Sequence, residues 1–231
     1  MKLLLTNDDG IDAAGLAALE RAVEQYGTVT VVAPQEPHSG CGHRVNVMRP
    51  LLLSEVSPGR MALDSSPADC TRIGLTSVVP DADFVISGIN DGSNLGVDVY
   101  MSGTVAAVRE AALLGKPGIA FSQYRRGAVK LNWPAAETMV RRVLEWLQPL
   151  RLEPGAYWNV NFPALEKLAT EPEIVLCPLD TSPHPLVYDY TDGGYHYRGN
   201  YHNRPRQPDH DVDVCFSGRI AVTKVSLESG R

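Results

Sequence analysis

Apolar and polar positions along this chain fall into two alternating patterns, short aliphatic or β-branched runs and longer stretches at helical spacing. Leu3-Leu4-Leu5-Thr6 is a compact apolar run ending in a polar cluster closed by Gly10, which reads as a buried strand. Leu16, Leu19, Ala22 and Val23 then recur at helical spacing, with Glu20, Arg21 and Glu24 on the opposite face. The β-branched run Thr28 to Ala33 closes at Pro34 and reads as a second strand. Strand, helix and strand within about 33 residues make a βαβ unit, so the pattern predicts a parallel sheet with a right-handed crossover.

The alternation continues with a helix from Ala68 to Val78, a strand at Phe84-Val85-Ile86, a helix from Thr104 to Leu114 and a strand at Gly118 to Phe121. An amphipathic helix is expected from about Pro134 to Leu147, and a further strand at Trp158 to Phe162 before Pro163. The fold expected is α/β, a Rossmann-like, mostly parallel sheet with helices on both faces. After about residue 164 the character changes, and residues 178–210 are rich in Pro, Gly, Tyr, His and Asp. Tyr188, Tyr190, Tyr195, Tyr197 and Tyr201 around Gly193-Gly194 suggest a C-terminal β-hairpin arm, aromatic on one side, that packs on another surface such as a second subunit. Ile220 to Val225 would be a last strand. The division expected is a catalytic core over 1–164 and a segment over 165–231 carrying the arm.

Composition narrows the chemistry. With 231 residues, 44% of them hydrophobic, the chain can bury a substantial core. A net charge of −6 argues against a nucleic-acid polymer as partner, yet permits a small anion held by local donors and a bound cation. Cys41, Cys70, Cys177 and Cys215 show no metal-ligand or disulfide spacing, so reduced thiols are expected. The apolar start stops at Asn7, short of a signal-peptide core, and no run nears the roughly 20 apolar residues of a membrane span. A cytoplasmic location without membrane attachment is the expectation.

In open parallel sheets, ligands bind beyond the carboxyl ends of the strands. After the first strand stand Asn7-Asp8-Asp9-Gly10. Adjacent carboxylates repel unless a cation lies beside them, and a hard divalent ion suits such a pair. A solvated turn is the other reading, but the position at the end of a buried strand favours the ion. After the second strand, Ser39 could add a neutral oxygen, while His38 and His43 decide little. The run Ser87 to Gly96 combines glycines with amides and hydroxyls, a composition suited to wrapping a phosphate or ion. Ser102-Gly103-Thr104 opens a helix, and a helix start is both an N-cap and a ready phosphate site. No P-loop lysine motif, no Gly-x-Gly-x-x-Gly after the first strand and no Gly-x-Ser-x-Gly elbow occurs. What remains suits metal-assisted hydrolysis of a phosphate ester.

These residues resemble the SurE family, the 5′/3′-nucleotidases also called stationary-phase survival proteins. The resemblance runs through Leu5 to Gly10, Val32-Ala33-Pro34 with Ser39-Gly40, Pro67 to Cys70, Ser87 to Asn90 with Gly92, Asn94-Leu95-Gly96, and Tyr100 to Ala107. It is dense over residues 2–122 and returns at Asn159 to Pro163. It implies hydrolysis of nucleoside 5′- or 3′-monophosphates, with one divalent metal ion per site, Mg²⁺ or Mn²⁺. It implies metal ligands Asp8, Asp9, Ser39 and Asn90, the phosphate-surrounding residues Asn94, Ser102, Gly103 and Thr104, and a dimer or tetramer built through the C-terminal arm. Asp8 or Asp9 would orient or deprotonate the attacking water. The alternative is a non-catalytic, metal-dependent nucleotide-binding protein using the same pocket. The chain departs from the family at Arg44, where a small hydroxyl residue is usual, and at Ser65-Ser66-Pro67, where Gly-Thr-Pro is usual.

Overall fold

A computed structural model describes residues 1–127, 131–164 and 171–227, so the expected boundary between 164 and 165 falls at the edge of the described residues. In chain order the strands are β1 (Lys2–Thr6), β2 (Thr28–Pro34), β3 (Leu53–Ser57), β4 (Arg60–Leu63), β5 (Phe84–Asp91), β6 (Gly118–Gln123), β7 (Ala156–Phe162), β8 (Ile174–Leu176), β9 (Tyr188–Thr191), β10 (Gly194–Tyr197) and β11 (Ile220–Ser226). The α-helices are α1 (Ala14–Val23), α2 (Pro67–Ile73), α3 (Gly103–Leu113), α4 (Trp133–Leu147) and α5 (Asp211–Phe216). Among the described residues, nine strands form one sheet in the order β3-β4-β2-β1-β5-β6-β7-β11-β8. The six neighbours from β4 to β7 all pair in parallel, while β3 and β11 run antiparallel to β4 and β7.

The period-two alternation of β1 explains the two layers. Leu3 and Leu5 enter the cluster that holds the apolar faces of α1 and α4. Leu4 points the other way, into the cluster with Cys70 of α2 and Ala111 of α3. Helices therefore cover both faces, and the expected Rossmann-like, mostly parallel sheet is what forms.

The differences from the sequence reading lie at the margins. β3 is exposed at every position, so it has no buried face to imprint a pattern. β4 and β8 are only 4 and 3 residues long, too short to show alternation. The helix expected over Ala68 to Val78 is α for Pro67–Ile73 and continues as a π turn over Gly74–Val78. The hairpin of β9 and β10 turns at Asp192 and Gly193, one residue earlier than Gly193-Gly194. Its cross-strand pairs Tyr190–Tyr195 and Tyr188–Tyr197 set ring centroids 5.0 and 5.5 Å apart on one face, as the pattern predicts. Tyr201 does not belong to that face; it sits beyond the hairpin in a 3₁₀ turn (Tyr201–Asn203).

One irregularity positions chemistry. Between Ser87↔Ala120 and Asn90↔Ser122 the β5–β6 register gains one residue on β5. Gly88, with φ of +129°, occupies this bulge, and a Cβ there would lie 2.3 Å from the Phe121 carbonyl oxygen. The bulge carries the end of β5 to the mouth of the sheet.

Candidate active site

The carboxyl ends of β1 and β5, the loop after β2 and the start of α3 converge on a cavity of about 300 Å³. Asp8, Asp9, Ser39, Asn90, Asn94 and Ser102 all line it. Six of the eight expected site residues, from four separate segments, thus meet in one place. Gly103 and Thr104 stand just behind the lining. The wall also contains Asp91, Ser93, Asp98 and Tyr201, which the sequence reading did not single out as site residues.

The turn after β1 is closed by Asn7, whose Nδ2 donates to the Gly10 carbonyl at 2.8 Å and whose Oδ1 accepts from the Gly10 N–H at 3.2 Å. That closure leaves Asp8 and Asp9 as the projecting groups. Asp8 is 5% exposed and accepts a hydrogen bond from the Thr104 hydroxyl at 2.5 Å. Burial pushes its carboxyl up to about 6; the Thr104 bond opposes the rise and the Asp9 charge adds to it. Asp9 is also raised, again by burial, against the pull of the Asp91 N–H that donates to its Oδ2 at 3.1 Å. Two neighbouring carboxylates pushed upward by desolvation are short of positive charge.

Helix α3 approaches this pair closely. A Cβ on Gly103 would lie 2.8 Å from the Asp8 Cβ and 2.9 Å from the Cys41 Sγ, so glycine is what lets the helix tip meet the acidic turn. Ser102 caps α3 by accepting from the Val105 N–H at 3.0 Å, and still lines the cavity. The Thr104 hydroxyl, fully buried, is spent on Asp8.

Asn90 donates its Nδ2 to the Gly92 carbonyl at 2.7 Å, which engages the amide N–H₂ and leaves its Oδ1 as an acceptor on the cavity wall. Asn94 is held by a buried lattice from neighbouring strands. Its N–H donates to Asn161 Oδ1 at 2.8 Å, and its carbonyl accepts from Asn159 Nδ2 at 2.8 Å and Asn161 Nδ2 at 3.0 Å. Its own Nδ2 donates to the Ser122 Oγ at 2.8 Å. Asn159 and Asn161 were visible only as part of a strand and of the family resemblance; nothing in their spacing along β7 announces that they grip a loop 65 and 67 residues upstream.

The C-terminal segment closes the far wall. Asp98 accepts from Tyr201 OH at 2.9 Å, Arg204 Nη1 at 2.6 Å and His184 Nε2 at 2.5 Å, and Tyr201 also bonds the Ser93 hydroxyl at 2.9 Å. Asp211 at the start of α5 accepts from the N–H groups of Gly96 and Asp180 at 2.7 and 2.8 Å. The bonds to Ser93, Gly96 and Asp98 join the loop after β5 to residues 86 to 115 positions later, a link that leaves no local pattern.

Other singled-out residues support the loop after β2. His43 Nε2 bonds the buried Glu110 of α3 at 2.6 Å, and Glu110 also accepts from Arg72 at 2.7 Å. Ser66 caps α2 by accepting from the Asp69 N–H at 3.3 Å, while Asp69 accepts from the Asn46 N–H at 3.0 Å. Hence Ser66 does the capping work that the usual threonine would do. Arg44 is exposed and outside the cavity lining; its carbonyl accepts from the Ser66 hydroxyl at 2.5 Å. All four cysteines are free thiols.

Among the described residues, no group of three or more His, Cys, Asp or Glu converges as a metal cage. The set at hand is two carboxylates plus hydroxyl and amide oxygens, all hard donors. That set fits a small oxygen-seeking cation that keeps several waters better than zinc, which prefers a closed N/S site.

An α/β protein with a mostly parallel sheet and an oxygen-lined cavity facing a helix start at its carboxyl edge belongs to the class of open α/β folds whose ligands bind at that edge. The particular family follows from comparison. The family model described as "Survival protein SurE" matches residues 3–181, and the chain belongs to that family. It is 48% identical over 227 residues, covering 98% of this chain and 100% of the relative, to a putative 5′-nucleotidase of Nostoc sp. strain PCC 7120. It is 36% identical to the 5′-nucleotidase SurE of Roseobacter denitrificans, covering 99% of this chain and 94% of the relative. The crystal structure of SurE protein from Aquifex aeolicus superposes with a TM-score of 0.86 at 28% identity, covering 100% of this chain and 95% of that one.

Proposed function

We propose that this chain is a metal-dependent phosphatase that hydrolyses nucleoside 5′- or 3′-monophosphates to nucleoside and phosphate. One observation carries the reading: the adjacent carboxylates of Asp8 and Asp9 share a single cavity with Ser39, Asn90, Asn94 and the Ser102 cap of α3. Relatives bearing the name 5′-nucleotidase, similar over nearly the whole chain, support it.

Asp8, Asp9, Ser39 and Asn90 would hold one Mg²⁺ or Mn²⁺. When bound, such an ion lowers the pKa of a water and screens the phosphoryl oxygens. Asp8, fixed by Thr104, stays where it is and holds the geometry. Asp9, also on the cavity wall, orients or takes the proton of the attacking water. The first-turn N–H groups of α3 at Gly103 and Thr104, with the Ser102 hydroxyl, stabilise charge growing on the phosphoryl oxygens. Asn94 completes the phosphate wall. Its Nδ2 contact with Thr104 is long, at 3.5 Å, and gives way to an oxygen of the substrate.

Phosphate release from a panel of nucleoside 5′- and 3′-monophosphates, with Mg²⁺, Mn²⁺, Co²⁺ or EDTA, tests the proposal. Turnover with a divalent ion, abolished by EDTA and by Asp9→Ala, is expected. Saturable, metal-dependent binding without any phosphate release would instead make this a non-catalytic nucleotide-binding protein. The same reading places the enzyme in the cytoplasm, as a dimer or tetramer joined through the arm over residues 178–210.

A further inference from the structure

A second, larger cleft of about 870 Å³ opens beside the candidate active site, between the end of β6 and the tip of α5. Its floor is aromatic: Tyr124, buried, stacks on Phe216 with centroids 4.5 Å apart and planes at 17°. Arg126, His202, Arg204 and Arg206 stand around that floor, and no aspartate or glutamate is among the described residues lining the cleft. In a chain of net charge −6, two guanidinium groups on one concave surface, those of Arg126 and Arg206, mark a local positive field.

The donors are set for an anion. Arg204 is neutralised by Asp98, so it serves as wall rather than as charge. Arg206 lies over the Phe216 ring, 5.4 Å from its centroid, with only a 3.4 Å contact to Asp213. The ring's π face attracts the cation, and the pair with Asp213 is made through Nε, on the side away from the two Nη groups. Arg126 is exposed, and both it and Arg206 act on the Tyr124 phenol, whose pKa burial raises and these two charges pull down. Both arginines line the cleft whose floor that phenol helps form. The Tyr124 hydroxyl also bonds His202 Nδ1 at 2.7 Å; when the phenol donates, the proton of His202 is left on Nε2 as a further outward donor.

We propose that this cleft is a second phosphate-binding site, in which Arg126, Arg206 and His202 hold a phosphate group over the Tyr124–Phe216 floor. The segment Tyr201 to Arg204 walls both cavities: Tyr201 faces the catalytic one and His202 this one. The phosphate therefore comes either from a free ion or nucleotide, or from the distal phosphate of a longer substrate whose terminal phosphate sits in the catalytic cavity.

The two cavities separate cleanly in EDTA. Without a cation, the adjacent carboxylates of Asp8 and Asp9 disfavour phosphate, whereas the arginine cleft needs no metal. Calorimetric titration of the full chain in EDTA with inorganic phosphate should show one site per chain. It should weaken about tenfold or more in Arg126→Ala/Arg206→Ala, with Arg126→Lys retaining it. The single Arg126→Ala, which removes no packed group, guards against misfolding, and melting temperature reports it. In a second arm, KM is compared for a nucleoside monophosphate and a 5′-phosphorylated dinucleotide with Mn²⁺. If the longer substrate is the source, the double variant raises KM several-fold for the dinucleotide alone. A wild-type chain that binds no phosphate in EDTA, together with unchanged KM values in the variant, overturns the proposal. The first arm does not depend on turnover, so failure of the cleft and failure of the nucleotidase reading are told apart.

Discussion

At the scale of single residues, the site rests on groups that hold other groups. Thr104 is the plainest case, because its hydroxyl reaches Asp8 rather than the cavity. Replacing Thr104 with Val keeps shape and removes only that bond. We expect an apparent Mn²⁺ affinity lower by about 10- to 100-fold, the usual cost of losing a supporting partner. Thr104→Ser should restore it. A metal titration of phosphate release measures both, and a Thr104→Val protein with unchanged metal dependence would mean that Asp8 needs no such tether. Gly103 was readable as part of a helix start, but its close approach to Asp8 and Cys41 was not. A glycine in a sequence announces freedom, and only the fold says what comes near.

Secondary-structure elements carry the next level of control. β7 is an interior strand between β6 and β11, and its amides clamp the Asn94 peptide at both its N–H and its carbonyl. In Asn161→Ala the buried N–H and carbonyl of Asn94 lose partners, at a cost of about 2–3 kcal/mol. For a chain of this size that lowers the melting temperature by about 5 °C or more. The phosphate wall should loosen with it, so a fall in kcat of about tenfold accompanies the thermal loss. Calorimetry alongside steady-state kinetics checks the pair, and a thermal loss without a kinetic one would make the clamp merely structural. The parallel core from β1 to β7 was legible because each strand there has buried faces and a helix between neighbours. β3 and β8 were not, for one is exposed throughout and the other is three residues long.

For the whole molecule, the hairpin of β9 and β10 stands out. Tyr188, Tyr190, Tyr195 and Tyr197 are each more than half exposed, and Leu186 is 69% exposed beside them. A two-stranded ribbon with a bare aromatic face is not stable by itself, which is the ground for the proposed subunit interface there. Light scattering after size exclusion should give a dimer or tetramer for the intact chain. It should give a smaller species when the four tyrosines become serine, and a wild-type monomer would refute the assignment. Among the described residues no helix is long and apolar enough to cross a membrane. By itself the sequence determined the alternating α/β layout and the ordered motifs of the SurE family. It also pointed to six of the residues that line the cavity, because hydrophobic periodicity and strand-end position are local properties. Only the tertiary structure decided that Thr104 serves Asp8, that β7 grips Asn94, and that Asp98, Tyr201 and Arg204 divide two cavities. These depend on which distant segments meet, and a contact across a hundred residues is set by packing rather than by any spacing along the chain.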